Sequence, residues 1–190
     1  TAAPDRVRLH ALDVTDSAAI AALAGELEGQ AIDVLLNNAG TFGPQGAPEG
    51  MAYQSLNNMD YDIWRTILEV NLLAPFRVAT EFRQHLLRGD RKLLVMMSSG
   101  LASIHASKGG SYAYRSSKAG LNMLTKGIAA EWRDLIVIAL APGWCNTDLG
   151  GADAPVDVTA SVRDQHALFA RLTRADSGRF IDRFGETVPW

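Results

Sequence analysis

The chain has 190 residues, 47% hydrophobic and 21% charged, with a formal net charge of −3; those proportions describe one globular domain with a sizeable core, not a disordered chain. The slight negative balance supplies no global attraction for nucleic acid or an anionic membrane, and no apolar run reaches the length of a membrane-spanning helix. The single cysteine, Cys145, excludes an internal disulfide, so the expected setting is a reducing cytoplasm and the expected partner a small molecule.

Taken in chain order, residues 7–12 read as a short strand. Residues 16–28 read as a helix with Ile20, Leu23 and Leu27 on one stripe and Gly29 as its stop. Residues 32–36 form a buried strand. The stretch 41–50, with Gly43, Pro44, Gly46, Pro48 and Gly50, is a loop. Residues 57–60 open the next helix, which turns Ile63, Ile67 and Val70 toward a core, is kinked or interrupted by Pro75, and resumes to about Arg88. Residues 93–97 are strand, 98–111 loop, 112–133 helix with Leu121, Leu124, Ile128 and Trp132 on one stripe, and 135–141 strand. A long connection leads to a helix over 159–172 and a last short strand over 178–182. Strands alternating with helices predict an α/β fold: a doubly wound, Rossmann-like parallel sheet in a single domain over residues 1–190. Ligands of such sheets bind beyond the carboxyl ends of the strands, where Asp13, Asn37, Ser99 and Pro142 fall.

Tyr114 and Lys118 are four residues apart on the predicted helix 112–133 and share one face. A phenol ordinarily titrates near ~10, and an adjacent ammonium is expected to lower that value, which suits the phenol to exchange protons with a carbonyl or alcohol. Tyr112 is the competing phenol, but its partner four residues on is the uncharged Ser116. The four histidines, His10, His85, His105 and His166, lack metal-ligand spacing, and no metal is expected. Cys145 carries no mark of a nucleophile.

Around this pair lie Leu12-Asp13-Val14, Asn37-Asn38-Ala39-Gly40, Ser98-Ser99 and Pro142-Gly143, each closing an apolar run. With them, from about Val7 to the C-terminus, the sequence resembles the short-chain dehydrogenase/reductase family. The segments Tyr112-Ala113-Tyr114-Arg115-Ser116-Ser117-Lys118-Ala119, Ala141-Pro142-Gly143-Trp144, Thr147-Asp148-Leu149-Gly150-Gly151 and Ser177-Gly178-Arg179-Phe180 look like its C-factor-like carbonyl reductase branch. The resemblance implies a catalytic set of Asn71, Ser99, Tyr114 and Lys118. Tyr114 would be the acid or base, Lys118 would bind the cofactor ribose, and Ser99 would hold the substrate oxygen, with Ser98 as the alternative because Ser99 lies fifteen residues before Tyr114, about two more than is usual. Asn71 would interrupt a helix and hold a relay water on its backbone carbonyl, or else cap freed backbone groups there. A nicotinamide nucleotide, NADP with NAD as the alternative, would be bound by Asp13 and Val14, by the small-residue turn Asn38, Ala39 and Gly40, by Tyr114 and Lys118, and by Pro142, Gly143 and Thr147.

The family's glycine-rich phosphate turn belongs before Val7, and the chain holds no residues for it. The domain is therefore expected to be N-terminally incomplete, lacking a first βαβ segment. As written it is expected to leave unpaired strand edges and to bind NADPH or NADH no tighter than about millimolar. Two functions follow from the resemblance: reduction of a ketone or aldehyde by hydride transfer, or a signalling or binding role without hydride transfer. Association of the helices around 60–88 and 112–133 is expected to give a homodimer or homotetramer.

Overall fold

The computed structural model describes residues 6–44 and 49–190; Gly46 and Pro48 of the expected loop lie outside the described residues. Helix α1, Ser17–Glu26, starts where the Asp16 carboxylate accepts hydrogen bonds from the Ala18 and Ala19 amides at 2.9 and 3.0 Å, satisfying donors that a helix start leaves free. Its Ile20 and Ala24 bury against Val78 and Phe82. Strand β1 is Val34–Asn37. A small antiparallel hairpin follows, β2 Gln54–Ser55 with β3 Asn58–Met59, too short to show in the hydrophobic pattern.

Helix α2, Tyr61–Leu68, is capped by Asp60. It runs into a five-residue π turn, Glu69–Leu73, and then into α3, Ala74–Glu81, and α4, Arg83–Arg88. The interruption expected at Pro75 thus lies before it, in the π turn. Pro75 itself occupies the first turn of α3, where its missing N–H leaves nothing unsatisfied. Strand β4 is Leu93–Met97, α5 Tyr112–Glu131, β5 Ile136–Ala141, α6 Val158–Arg171 and β6 Phe180–Asp182.

The main sheet is parallel throughout in the order β1-β4-β5-β6, with Val34 opposite Leu93, Leu93 opposite Ile136 and Ala139 opposite Phe180. Both faces are covered. Leu93, Val95, Ile138 and Leu140 pack against Leu168 and Leu172 of the α6 side, and Leu94, Met96 and Val137 pack against Ala79, Leu86, Leu121 and Ile128 from α3, α4 and α5. That two-sided burial is why β4 and β5 read as unbroken apolar runs instead of alternating ones.

The strand expected over residues 7–12 does not form. A strand exists through its ladder, and none of the described residues pairs with this segment, whose Val7 and Leu9 are exposed. Among the described residues the outer edge of β1 is likewise unpaired, and Val34 and Leu36 remain 37% and 39% exposed.

Gly89 joins α4 to the turn before β4 at a close approach of two backbones: a Cβ there would lie 2.2 Å from the Ile32 carbonyl oxygen. Its φ of −71° is open to any residue, so only the contact forbids a side chain. Gly89→Ala is expected to lower stability by about 2 kcal/mol, the scale of an overpacked core site; a denaturant midpoint equal to the parent's would contradict this.

Candidate active site

Tyr114 is the third residue of α5 and is buried. The residue before the helix, Ser111, has φ 48° and ψ 42° and makes no side-chain cap. The Tyr114 amide donates instead to Oε1 of Gln54, at 2.8 Å. Its ring lies against Phe42, centroids 4.6 Å apart and planes inclined at 32°. One turn on, Lys118 is 3% exposed; Nζ donates to the Met97 carbonyl at 2.8 Å, at the end of β4, and stands 5.8 Å from the Tyr114 ring centroid. Ser99, just past β4, accepts the Leu101 amide at 3.1 Å, and its hydroxyl is near enough to the phenol to favour the ionised form. Ser98 is turned elsewhere, donating to Oδ1 of Asn122 at 2.6 Å.

The lowered phenol expected from the Tyr-Lys pair is not what the structure gives. Burial pushes the Tyr114 phenol above its ordinary value, and the Ser99 hydroxyl offsets only part of this. The ammonium lies toward the ring and is taken by a carbonyl, not by the phenolic oxygen. Lys118 in turn is lowered to about 8 by desolvation, which disfavours the charged amine.

Asn71 is fully buried in the π turn. Its Oδ1 accepts the Thr41 amide at 2.8 Å, and its Nδ2 donates to the Thr41 carbonyl at 2.8 Å and to Oγ of Ser117 at 3.1 Å. The side chain is thus spent on Thr41 and Ser117 and not on groups freed at the helix interruption, while its own carbonyl belongs to the π turn.

Of the residues expected to hold a cofactor, Asn38, Ala39 and Gly40 follow the carboxyl end of β1 and Pro142, Gly143 and Thr147 that of β5, Tyr114 and Lys118 lie on α5, and Asp13 and Val14 precede α1. Val14 and Ala39 share a crevice with Asn37, Val70 and Pro75. Asn38, Ala39 and Gly40 are exposed beyond β1. A Cβ on Gly40 would stand 3.4 Å from both Lys118 Nζ and Asn71 Oδ1. Pro142 accepts the Ser161 hydroxyl at 2.8 Å, Gly143 turns with φ 94°, and Thr147 accepts the Gly150 amide at 3.2 Å. Asp13 is exposed in the turn before α1; the Thr15 amide and hydroxyl, each at 2.8 Å, hold its carboxyl below the usual range. The donor set suits a nicotinamide ribose: Lys118 keeps ammonium donors beyond the one given to Met97, and its approach past Gly40 is free of a side chain. No group of three or more His, Cys, Asp or Glu among the described residues is placed to hold a metal, and no described helix is long and apolar enough to cross a membrane.

Gln54 and Phe42 escaped the sequence reading. A lone amide in a polar loop has no periodicity, and nothing in its neighbours marks a contact 60 positions away.

Residues 1–155 match the family model described as short chain dehydrogenase, and the chain belongs to that family. It is 35% identical over 162 residues to C-signal of Myxococcus xanthus, covering 84% of this chain and 93% of that protein. It spans only 54% of a galactitol 2-dehydrogenase from Rhizobium johnstonii, at 33% identity. Among solved structures it is similar to a short-chain dehydrogenase/reductase from Burkholderia multivorans with bound NADP, at 33% identity and a TM-score of 0.84, covering 98% of this chain and 79% of that one. The NADPH-bound carbonyl reductase from chicken fatty liver is similar at 29% identity and a TM-score of 0.82, covering 94% and 75%.

The buried amine costs stability. In the unfolded chain it keeps its proton up to its ordinary 10.5; in the fold it releases it at about 8. Between those values the unfolded state holds more protons, so stability rises with pH across that window, and below 8 the whole penalty is present. Lys118→Met is expected to stabilise the fold at pH 7 by about 2 kcal/mol, after allowance for the lost Met97 hydrogen bond, with the gain fading as pH approaches 10.5. Urea melts at pH 7 and pH 10 that show an equal difference would refute it.

Proposed function

We propose that the protein reduces a ketone or aldehyde by hydride transfer, using NADP(H), with Tyr114 as general acid. The observation that carries this is a phenol buried at the carboxyl edge of a parallel sheet, beside Ser99 and one turn from a buried amine. The nicotinamide nucleotide supplies the hydride when bound; Asp13, Val14, Asn38, Ala39, Gly40, Lys118, Pro142, Gly143 and Thr147 are the residues we assign to hold it. Ser99 fixes the substrate oxygen beside the phenol. The phenol is protonated at neutral pH, as an unperturbed one would be, and burial pushes its titration higher still, so Tyr114 has a proton to give to the oxygen as negative charge develops there. Lys118 at about 8 stays largely charged at pH 7 and steadies the phenolate that remains. We assign Asn71 the relay of a replacement proton through water on its main-chain carbonyl.

In a form of the protein that also carries the family's glycine-rich phosphate turn, NADPH-oxidation assays against a panel of ketones and aldehydes are expected to show turnover that Tyr114→Phe lowers at least about a hundredfold in kcat/KM, with NADPH affinity nearly unchanged. Retention of more than a few per cent of kcat/KM removes Tyr114 from the acid's role.

A second reading is a binding or signalling protein in which no hydride moves. It is supported by the similarity to C-signal, of whose length the chain spans 93%. Absence of NADPH binding and of turnover in a form that carries the phosphate turn would favour it.

For assembly, Leu73 and Phe76, around the π turn and α3, and Met123 on α5 are exposed apolar side chains on the helices expected to pair. A homodimer through them is expected to sediment at about 41 kDa, twice the 20.5 kDa chain. Phe76→Glu combined with Met123→Glu is expected to halve that mass, and a parent species of 20.5 kDa at micromolar concentration would exclude the dimer.

A further inference from the structure

Gln54 is fully buried in a hairpin whose other residues are largely exposed. Both ends of its amide are used, on the main chains of Tyr114 and of the residue whose ring lies against it: Oε1 accepts the Tyr114 amide at 2.8 Å, and Nε2 donates to the Phe42 carbonyl at 2.8 Å. The first bond replaces the cap that Ser111, in its left-handed conformation, does not provide. The second holds the residue whose ring covers Tyr114. Space around Phe42 is tight on the opposite side, since a Cβ on Gly50 would lie 3.0 Å from the ring and 3.2 Å from the Phe42 carbonyl oxygen. The neighbouring residue, Thr41, is pinned by Asn71, which also bonds Ser117 on α5. Two buried amides therefore fasten consecutive loop residues to the same helical turn.

We propose that Gln54 is a positioning residue for the Tyr114 phenol: by tying the Phe42 carbonyl to the Tyr114 amide it holds the Phe42 ring on the phenol and fixes both the phenol's direction and its exclusion from water. The proposal takes Tyr114 as the acid from the carbonyl-reductase reading, but its test does not depend on turnover. A helix cap alone contributes to stability; a clamp acting through Phe42 also sets the environment of the phenol. Since burial is what raises the phenol, release of Phe42 lets water in and lowers its titration toward the ordinary value.

The test is NMR of the protein labelled with [13Cζ]tyrosine and ring-protonated phenylalanine, with the Tyr114 signal identified by its loss in Tyr114→Phe. In Gln54→Met, which keeps the volume and removes both hydrogen bonds, the Phe42–Tyr114 ring cross-relaxation is expected to vanish and the phenol titration to fall by about half a pH unit or more. Phe42→Leu is expected to give the same downward shift, and the double variant to add less than about 0.2 unit to either, as for residues acting in series. If Gln54→Met lowers the melting temperature but leaves the ring contact and the titration at parent values, Gln54 is a helix cap and the proposal is overturned. If Gln54→Met does not fold, Phe42→Leu decides: an unmoved Tyr114 titration overturns the proposal. A form that carries the phosphate turn and shows the coupling but reduces no carbonyl refutes the proposed function and leaves Gln54's positioning role standing.

Discussion

The arrangement depends on a protonated amine buried at the end of β4 with a carbonyl, not a carboxylate, as its neighbour. Lys118 donates to Met97 and loses most of its solvation, a situation that ordinarily drives an amine toward neutrality. A fold selected only for stability would place an apolar side chain there. Retention of the amine at a stability cost fits a group whose remaining donors serve a ligand, and the same burial pushes the titration of the neighbouring phenol higher.

Much of the surrounding structure serves to hold that turn of α5 in place. β4 and β5 are buried on both faces, so the sheet edge from which Met97 and Ser99 project is rigid. The π turn in the α2–α3 rod places Asn71 where its amide can join the Thr41 backbone to Ser117, and the small hairpin brings in Gln54. These are polar contacts made in low dielectric, where a satisfied amide is strongly directional and an unsatisfied one costly. The segment between β1 and α2 has little regular structure, yet the main chain of residues 41 and 42 is joined to α5 through the side chains of Asn71 and Gln54.

The family relatives differ in how much of themselves this chain represents: nearly all of C-signal and about half of a galactitol dehydrogenase. The stretch that matches the family model, residues 1–155, holds Ser99, Tyr114 and Lys118. The β1 edge, unpaired among the described residues, and the exposed turn from Asn38 to Gly40 border the region where a doubly wound sheet takes its nucleotide.

Periodicity alone gave β4, β5 and helices α1, α5 and α6 to within a residue or two, because their burial is set by short-range pattern. Spacing placed Tyr114 and Lys118 on one helical face, since four residues make about one turn. Tertiary structure decided the rest. Residues 7–12 are apolar enough for a strand but have no ladder among the described residues, and pairing is not a local property. Ser98 is drawn to Asn122 while Ser99 takes the Leu101 amide, because the alternation at a strand end sends the two hydroxyls to different neighbours. The direction of the phenol's shift reversed because the sequence shows a nearby charge but not the water removed from around it. Gln54 was invisible for the same reason: a single amide joins two segments only after the chain has folded them together.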